Sequence, residues 1–199
     1  MDTQPIVIQF VTAEGRAKAL EFIRMRFREK FGADPTPPEI IFAAYKNGDI
    51  VATLAIDLAD ESRMFPWEHA FDHDPTQLPF PIERETSIQF GRWTALIPHI
   101  SLPLIFSAVY HALRSGKKHA WCVVKSDARD RLRSIGFTLH AIPSTRIATE
   151  RILPQDMSYY TSTPVPELYV MHLDQLESVI RPQSIALVKK NIVTLEFDV

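Results

Sequence analysis

The stretch SIQFGRWTALIPHISLPLIFSAVYHALRSG, Ser87 to Gly116, closes a strand-like run with Arg92 and Trp93 and follows it with a helix-like run. A strand-to-helix junction often grips a phosphate, because a helix N-terminus presents free N–H groups and a favourable dipole. Such cradles usually rely on glycine, yet the connecting LIPHISLP contains none. WEHAFDHD sets His69 and His73 four residues apart, with Glu68, Asp72 and Asp74 between and beside them. On a helix the two imidazoles would share a face, the beginning of a metal site. The order is not H-E-x-x-H and no distant third ligand stands out, so no metal is expected. SYYTSTP offers a tyrosine pair, Tyr159 and Tyr160. The single cysteine, Cys122, lies in the apolar run HAWCVV, so it reads as a small buried strand residue and leaves no partner for an internal disulfide.

The elements that must position these residues are mostly legible. PIVIQFVT reads as a first strand. In AEGRAKALEFIRMRFREKFG, Ala19, Leu20, Phe22, Ile23, Phe27 and Phe31 fall on one helical face, and Gly32 ends the helix. IIFAAYKNGDIVATLAIDLA is a hairpin, with Asn47-Gly48 supplying the pair that a tight type I′ turn requires. The polar, proline-bearing segment 60–85 is expected to be a long loop with a short helix at WEHAFD. A strand over about 86–96 leads to a helix over about 102–115. KHAWCVVK is a strand, and SDARDRLRSIG a short helix capped by Ser126 or Asp127 and closed by Gly136. FTLHAI, the start of ELYVMHLDQL, and NIVTLEFDV read as further strands. This order implies an α/β sandwich around a mixed sheet in one domain spanning 1–199, with 174–199 as a C-terminal extension.

The totals bound the function. A formal net charge of −2 gives no global attraction to nucleic acid or anionic lipid, so an electrostatic partner needs a local patch. MDTQPIVIQF has neither a basic start nor a long apolar core, so no signal peptide and no membrane span are expected, and the cytoplasm is the expected compartment.

The succession of hairpin, strand with a strong terminal motif, helix, buried strand and short helix ending in LRSIGF resembles the GNAT acyltransferase superfamily. DRLRSIGF, Asp130 to Phe137, is similar to the R-x-x-G-F ending of its last core helix. Three stretches resemble the branch that holds acyl-homoserine lactone synthases, N-acyl amino acid synthases and thermostable-hemolysin-type proteins. FIRMRFREKFGAD looks like its arginine-rich first helix. MFPWEHAFDHDPTQL resembles its proline-aromatic-Glu loop. SIQFGRWTA resembles the strand reading Glu-x-Ser-Arg-Phe in homoserine lactone synthases. The resemblance covers about Ile6 to Tyr160.

It implies a GNAT-like mixed sheet flanked by helices, and an autoinducer-type enzyme moving a fatty acyl group to an amine. The donor would be acyl-phosphopantetheine on acyl carrier protein, or acyl-CoA, with no permanently bound cofactor. The missing glycine turn suits a carrier-protein donor, whose arm carries one phosphate diester. The acceptor would be S-adenosylmethionine, giving a quorum-sensing lactone, or an amino acid. The family glutamate aligns with Gln89, which cannot take a proton. Glu85, four residues earlier, would share its face on a strand and is the substitute base. Arg92 matches the family arginine that holds an acceptor oxygen or orders the loop, and Arg24 is the equivalent position on the first helix. Tyr159 or Tyr160 would protonate the leaving thiolate. Trp93, Thr94, Phe27 and Ser101 would line the substrate site. Lys117, Lys118, Arg129, Arg131 and Arg133 would form a basic rim for acyl carrier protein. Two other readings remain: a non-catalytic acyl or carrier-protein binding protein on the same scaffold, for which Gln89 speaks, and a membrane-damaging protein, for which no amphipathic basic segment speaks.

Overall fold

A computed structural model describes residues 4–60 and 63–196. Its centre is an eight-stranded mixed sheet, and the sequence dictates how it is entered. β1 (Ile6–Phe10) is followed by α1 (Arg16–Phe31), which ends at Gly32 with φ 65, the left-handed cap that glycine adopts without penalty. β2 (Ile40–Lys46) and β3 (Asp49–Asp57) form the expected hairpin, with positive φ at both Asn47 and Gly48 as a type I′ turn demands.

The segment after β3 holds the short α2 (Pro66–Ala70), fixed by Pro66 in its first turn and by Glu68 accepting the Phe65 N–H at 2.5 Å. Next comes β4 (Phe71–Asp72). β5 (Ser87–Ala95) leads through a 3₁₀ turn into α3 (Ser101–Arg114), and β6 (His119–Val124) into α4 (Ser126–Ser134). The chain then runs through β7 (His140–Ala141), β8 (Arg146–Ile147), α5 (Met157–Thr161) and β9 (Glu167–His172). α6 (Leu173–Lys189) and β10 (Val193–Glu196) complete it.

The strand order is β10-β1-β2-β3-β5-β6-β9-β7, with β1/β10 and β5/β6 parallel and the other pairs antiparallel; β4 and β8 pair separately. Strand alternation builds two cores. Ile8, Phe42, Ala44, Leu54, Cys122 and Met171 face α3, α4 and α6, while Ile41, Ala43, Trp121 and Val170 face α1, α2 and α5.

This is the mixed sheet flanked by helices that the resemblance implies, with two local differences. α4 begins at Ser126 with Lys125 at its cap position, so neither Ser126 nor Asp127 caps it. FTLHAI yields only the two residues of β7. In the expected C-terminal extension, α6 lies against α3, and β10 continues the sheet beyond β1.

Candidate active site

The site is made where β5 leaves its neighbours. β5 pairs with β6 only as far as Phe90↔Cys122, and beyond that point the two strands diverge. On its other side the register with β3 passes from Ala55↔Gly91 to Thr53↔Thr94, so three steps of β5 face two of β3. The extra residue makes a β-bulge, and Arg92 within it adopts φ 49, a left-handed conformation uncommon for arginine. Two cavities open at this irregularity, one on each side of β5.

The first, about 520 Å³, is lined by the 35–39 loop, α2, α5 and the bulge. Asp57 and Gln89 face each other across the β3–β5 ladder, and Arg92 lies at the cavity's edge. All three are buried. Arg92 forms an ion pair with Asp57 and donates from Nη2 to the Thr36 carbonyl at 2.8 Å. Thr36 Oγ1 is hydrogen-bonded to Asp156 Oδ2 at 3.1 Å, which continues the network to α5. Burial raises the pKa of Asp57, a rise that the Arg92 guanidinium only partly offsets. Burial also raises that of Asp156, opposed by its Thr36 hydrogen bond.

The second cavity, about 370 Å³, runs between β5 and β6 toward α3 and α4. Its interior is apolar: Leu54, Trp93, Ile105, Leu132, Phe137, Met171 and Leu176. Ser101, the first residue of α3, and Thr94 also line it, and Arg26, Lys30, Lys125 and Arg131 supply positive charge. Phe27, Phe90, Gly91, Arg92, Val123 and Tyr159 line both cavities, so the two meet at the bulge.

Of the residues singled out from sequence, Phe27, Arg92, Trp93, Thr94, Ser101, Gln89 and Tyr159 converge here. Gln89 has a structural employment: its Oε1 accepts the Trp67 N–H at 3.0 Å and so pins α2 to the sheet. Arg92 is engaged by Asp57 and Thr36 rather than held open for an acceptor oxygen. Tyr159 donates its hydroxyl to the Val123 carbonyl at 2.9 Å, and burial pushes its pKa up, which makes it a poorer acid.

Glu85 lies elsewhere. It is exposed in a turn ahead of β5, lines neither cavity, and its carbonyl accepts from Lys117 Nζ. The two-residue alternation that would align it with Gln89 begins only at Ser87. Arg24 is also outside, ion-paired with Asp34 at 3.4 Å on the outer side of α1. Lys117 and Lys118 follow the C-terminal end of α3, whereas Ser101 opens it, so about 20 Å of helix separates them from the cleft. Arg129 turns toward Asp130 and Glu167, and Arg133 lies over the Tyr169 ring, leaving Arg131 as the expected rim residue that reaches the cavity.

α2 ends at Ala70, so His69 and His73 do not share a helical face; His73 packs edge-on against Trp67. Among the described residues no group of side chains is arranged to hold a metal ion. Burial pushes the Cys122 thiol up to about 12, which leaves it unreactive although it lines the second cavity.

Sequence reasoning missed Asp57, Asp156 and Thr36, and the basic residues Arg26, Lys30 and Lys125. Asp57 had a signal, a charge at the end of the otherwise apolar run VATLAID. Asp156 had none, since an aspartate ahead of a short helix reads as a cap.

No protein-family model and no curated protein matches the sequence. Solved structures do match. The acyl-homoserine lactone synthase LasI superposes with TM-score 0.63 at 8% identity, covering 90% of this chain and 96% of that one. FeeM, an N-acyl amino acid synthase from uncultured soil microbes, gives 0.59 at 12%, covering 92% and 99%. BjaI, a CoA-dependent acyl-homoserine lactone synthase whose structure holds SAM and isopentyl-CoA, gives 0.55 at 12%, covering 98% and 94%. The chain thus has the fold of the acyl-homoserine lactone and N-acyl amino acid synthases, the branch that its motifs resemble.

Proposed function

We propose that the protein is an N-acyltransferase that moves a fatty acyl group from a phosphopantetheine thioester to an amine. The carrying observation is that two cavities share one wall at the β5 bulge, one lined by the carboxylates of Glu39, Asp57 and Asp156 and the other by apolar side chains with basic residues beside them. The apolar cleft between β5 and β6 suits an acyl chain, and the N-terminus of α3 with the cations beside it suits the phosphate of the arm. The first cavity is lined by Asp57, Glu39 and Asp156 together with Arg16, Arg63 and Arg92, and its Asp156, which forms no ion pair among the described residues, suits a protonated amine. An amine there would approach a thioester carbonyl beside Gly91–Trp93. In that stretch the β5/β6 ladder has ended, so a backbone N–H no longer paired to β6 would be available to the developing oxyanion.

The donor is acyl carrier protein or acyl-CoA, and the acceptor S-adenosylmethionine or an amino acid. Acyl-CoA and S-adenosylmethionine follow BjaI and the amino acid follows FeeM, whose fold the chain has, and the carrier protein follows the branch that the motifs resemble. The positive charge of Lys30 and Arg131, exposed beside the second cavity, favours an acidic carrier protein. The test is to incubate the purified protein with octanoyl-CoA or octanoyl carrier protein and either S-adenosylmethionine or a mixture of amino acids, and to analyse products by mass spectrometry. New N-octanoyl species, absent without protein, support the reading and name donor and acceptor. Tight octanoyl-donor binding with no N-acyl product would replace it with the non-catalytic binding reading, which the structural employment of Gln89 favours.

A further inference from the structure

The first cavity is lined by three carboxylates and three guanidinium groups, and their pairing leaves one carboxylate over. Asp57 is taken by Arg92, and Glu39 by Arg63. Arg16 donates to the backbone carbonyls of Glu39 and Pro38. Asp156 forms no ion pair among the described residues and is held by Thr36, through the hydroxyl at 3.1 Å and the backbone N–H. Its position is unusual in a second way. It occupies the cap position of α5, where an aspartate ordinarily accepts a backbone N–H of the first turn. Here the side chain makes no such bond and reaches to Thr36, 120 residues away, at the cavity wall. A charged oxygen has been withdrawn from its local partner and left facing a substrate-sized space.

From this geometry, and resting on the acyl-transfer reading above, we propose that Asp156 receives the ammonium group of the acceptor and takes its first proton, the base role that Gln89 cannot fill. The balance is complete. The ammonium gives one proton to the Asp156 carboxylate, and the neutral nitrogen attacks the thioester carbonyl carbon. The C–N bond forms as the C–S bond breaks. The second proton on nitrogen leaves with the thiolate to give the free thiol, and Asp156 returns its proton to solvent. The groups that act on its charge are Thr36 in the 35–39 loop, Arg92 and Asp57 on the sheet, Asp34 after α1 and Tyr160 on α5, and Arg16, Glu39, Arg63 and His69 line the same cavity. Burial raises its pKa, which makes the carboxylate a stronger base than an exposed aspartate.

Asp156→Asn keeps the shape and the Thr36 contact, so it isolates the proton acceptor. With octanoyl-CoA as donor and saturating S-adenosylmethionine, or an amino-acid mixture, kcat should fall about 100-fold or more. The KM for octanoyl-CoA should not move. Wild-type kcat should be level near neutral pH, while the variant should climb about tenfold per pH unit as solvent takes over deprotonation. Asp156→Glu should recover part of the rate and the level profile. Asp156→Asn with kcat within about threefold of wild type and an unchanged pH profile overturns the assignment to Asp156 alone. A wild type that acylates none of these amines overturns the acyl-transfer reading and this assignment with it.

Discussion

Asp156 and Asp57 hold charge where burial opposes it, and both carboxylates have raised pKa values for that reason. For Asp156 the consequence for stability can be worked out by sign. A folded-state pKa above the unfolded one means that the protonated carboxyl stabilises the fold. That contribution is full below the ordinary aspartate value of 3.8 and is lost as pH rises through the folded value. Above that folded value the wild type has lost it, whereas an amide is neutral throughout. Asp156→Asn should melt higher than wild type at pH 7, by about 2–4 °C for each kcal/mol relieved in a domain of this size. The difference should close as the buffer is taken toward pH 4. Thermal melts of the two proteins at both pH values check it; equal melting at pH 7, or a lower Tm for the variant, would show that the charge is not a burden there. A site residue whose removal stabilises the fold is what function at the expense of stability looks like. Arg92 was legible because an arginine closing an apolar strand is conspicuous. Gln89 was legible as a position but not in its role, because its partner, the Trp67 N–H, arrives from 22 residues away.

At the scale of elements, legibility followed local pattern. β1, α1, the Asn47-Gly48 hairpin, β5, α3 and β6 all carry their own period and punctuation, and they formed within a few residues of expectation. The bulge in β5 could not be read, because a bulge is a mismatch between two strands and neither sequence contains it alone. α6 was missed for a different reason. Pro182 sits in its interior, and proline removes a backbone donor, so LDQLESVIRPQSIALVK reads as interrupted. Tertiary packing overrides that penalty, for Leu173, Leu176 and Ile180 are buried in the same core as the α3 side chains. Ile180 is fully buried and lines neither cavity. Ile180→Ala should therefore cost about 2–5 kcal/mol of folding stability, read from denaturant unfolding, while the KM values stay put in the folded fraction. A cost under about 0.5 kcal/mol would show that α6 rests on the fold without being part of it.

The whole molecule is slightly acidic, so its positive charge matters by placement. Charge at the α3 C-terminal end, Lys117 and Lys118, is far from the cleft and already met by the Glu85 carbonyl and Glu83. Charge at the cleft is of two kinds. Lys125 is buried, with Nζ bonded to the Ser162 and Pro164 carbonyls, and its pKa is lowered by that burial, so it braces the 162–164 turn. Lys30 and Arg131 are exposed at the mouth, and Lys30 is only loosely tied to Asp127 at 3.7 Å. Exposed rim charges act on encounter more than on the chemical step, and salt screens them over about 8–10 Å. The double reversal Lys30→Glu with Arg131→Glu should raise the KM for octanoyl carrier protein about tenfold at low salt and leave kcat within about twofold. The defect should shrink in about 0.5 M salt, where the Debye length is near 4 Å. Octanoyl-pantetheine, which carries no phosphate, should be used equally well by both proteins. Lys117→Glu with Lys118→Glu, reversing the same number of charges at the other end of the sheet, should leave all three kinetic readouts alone. If both double variants weakened the carrier protein equally, overall charge rather than a local rim would govern docking, and the cleft mouth would lose its claim to the partner.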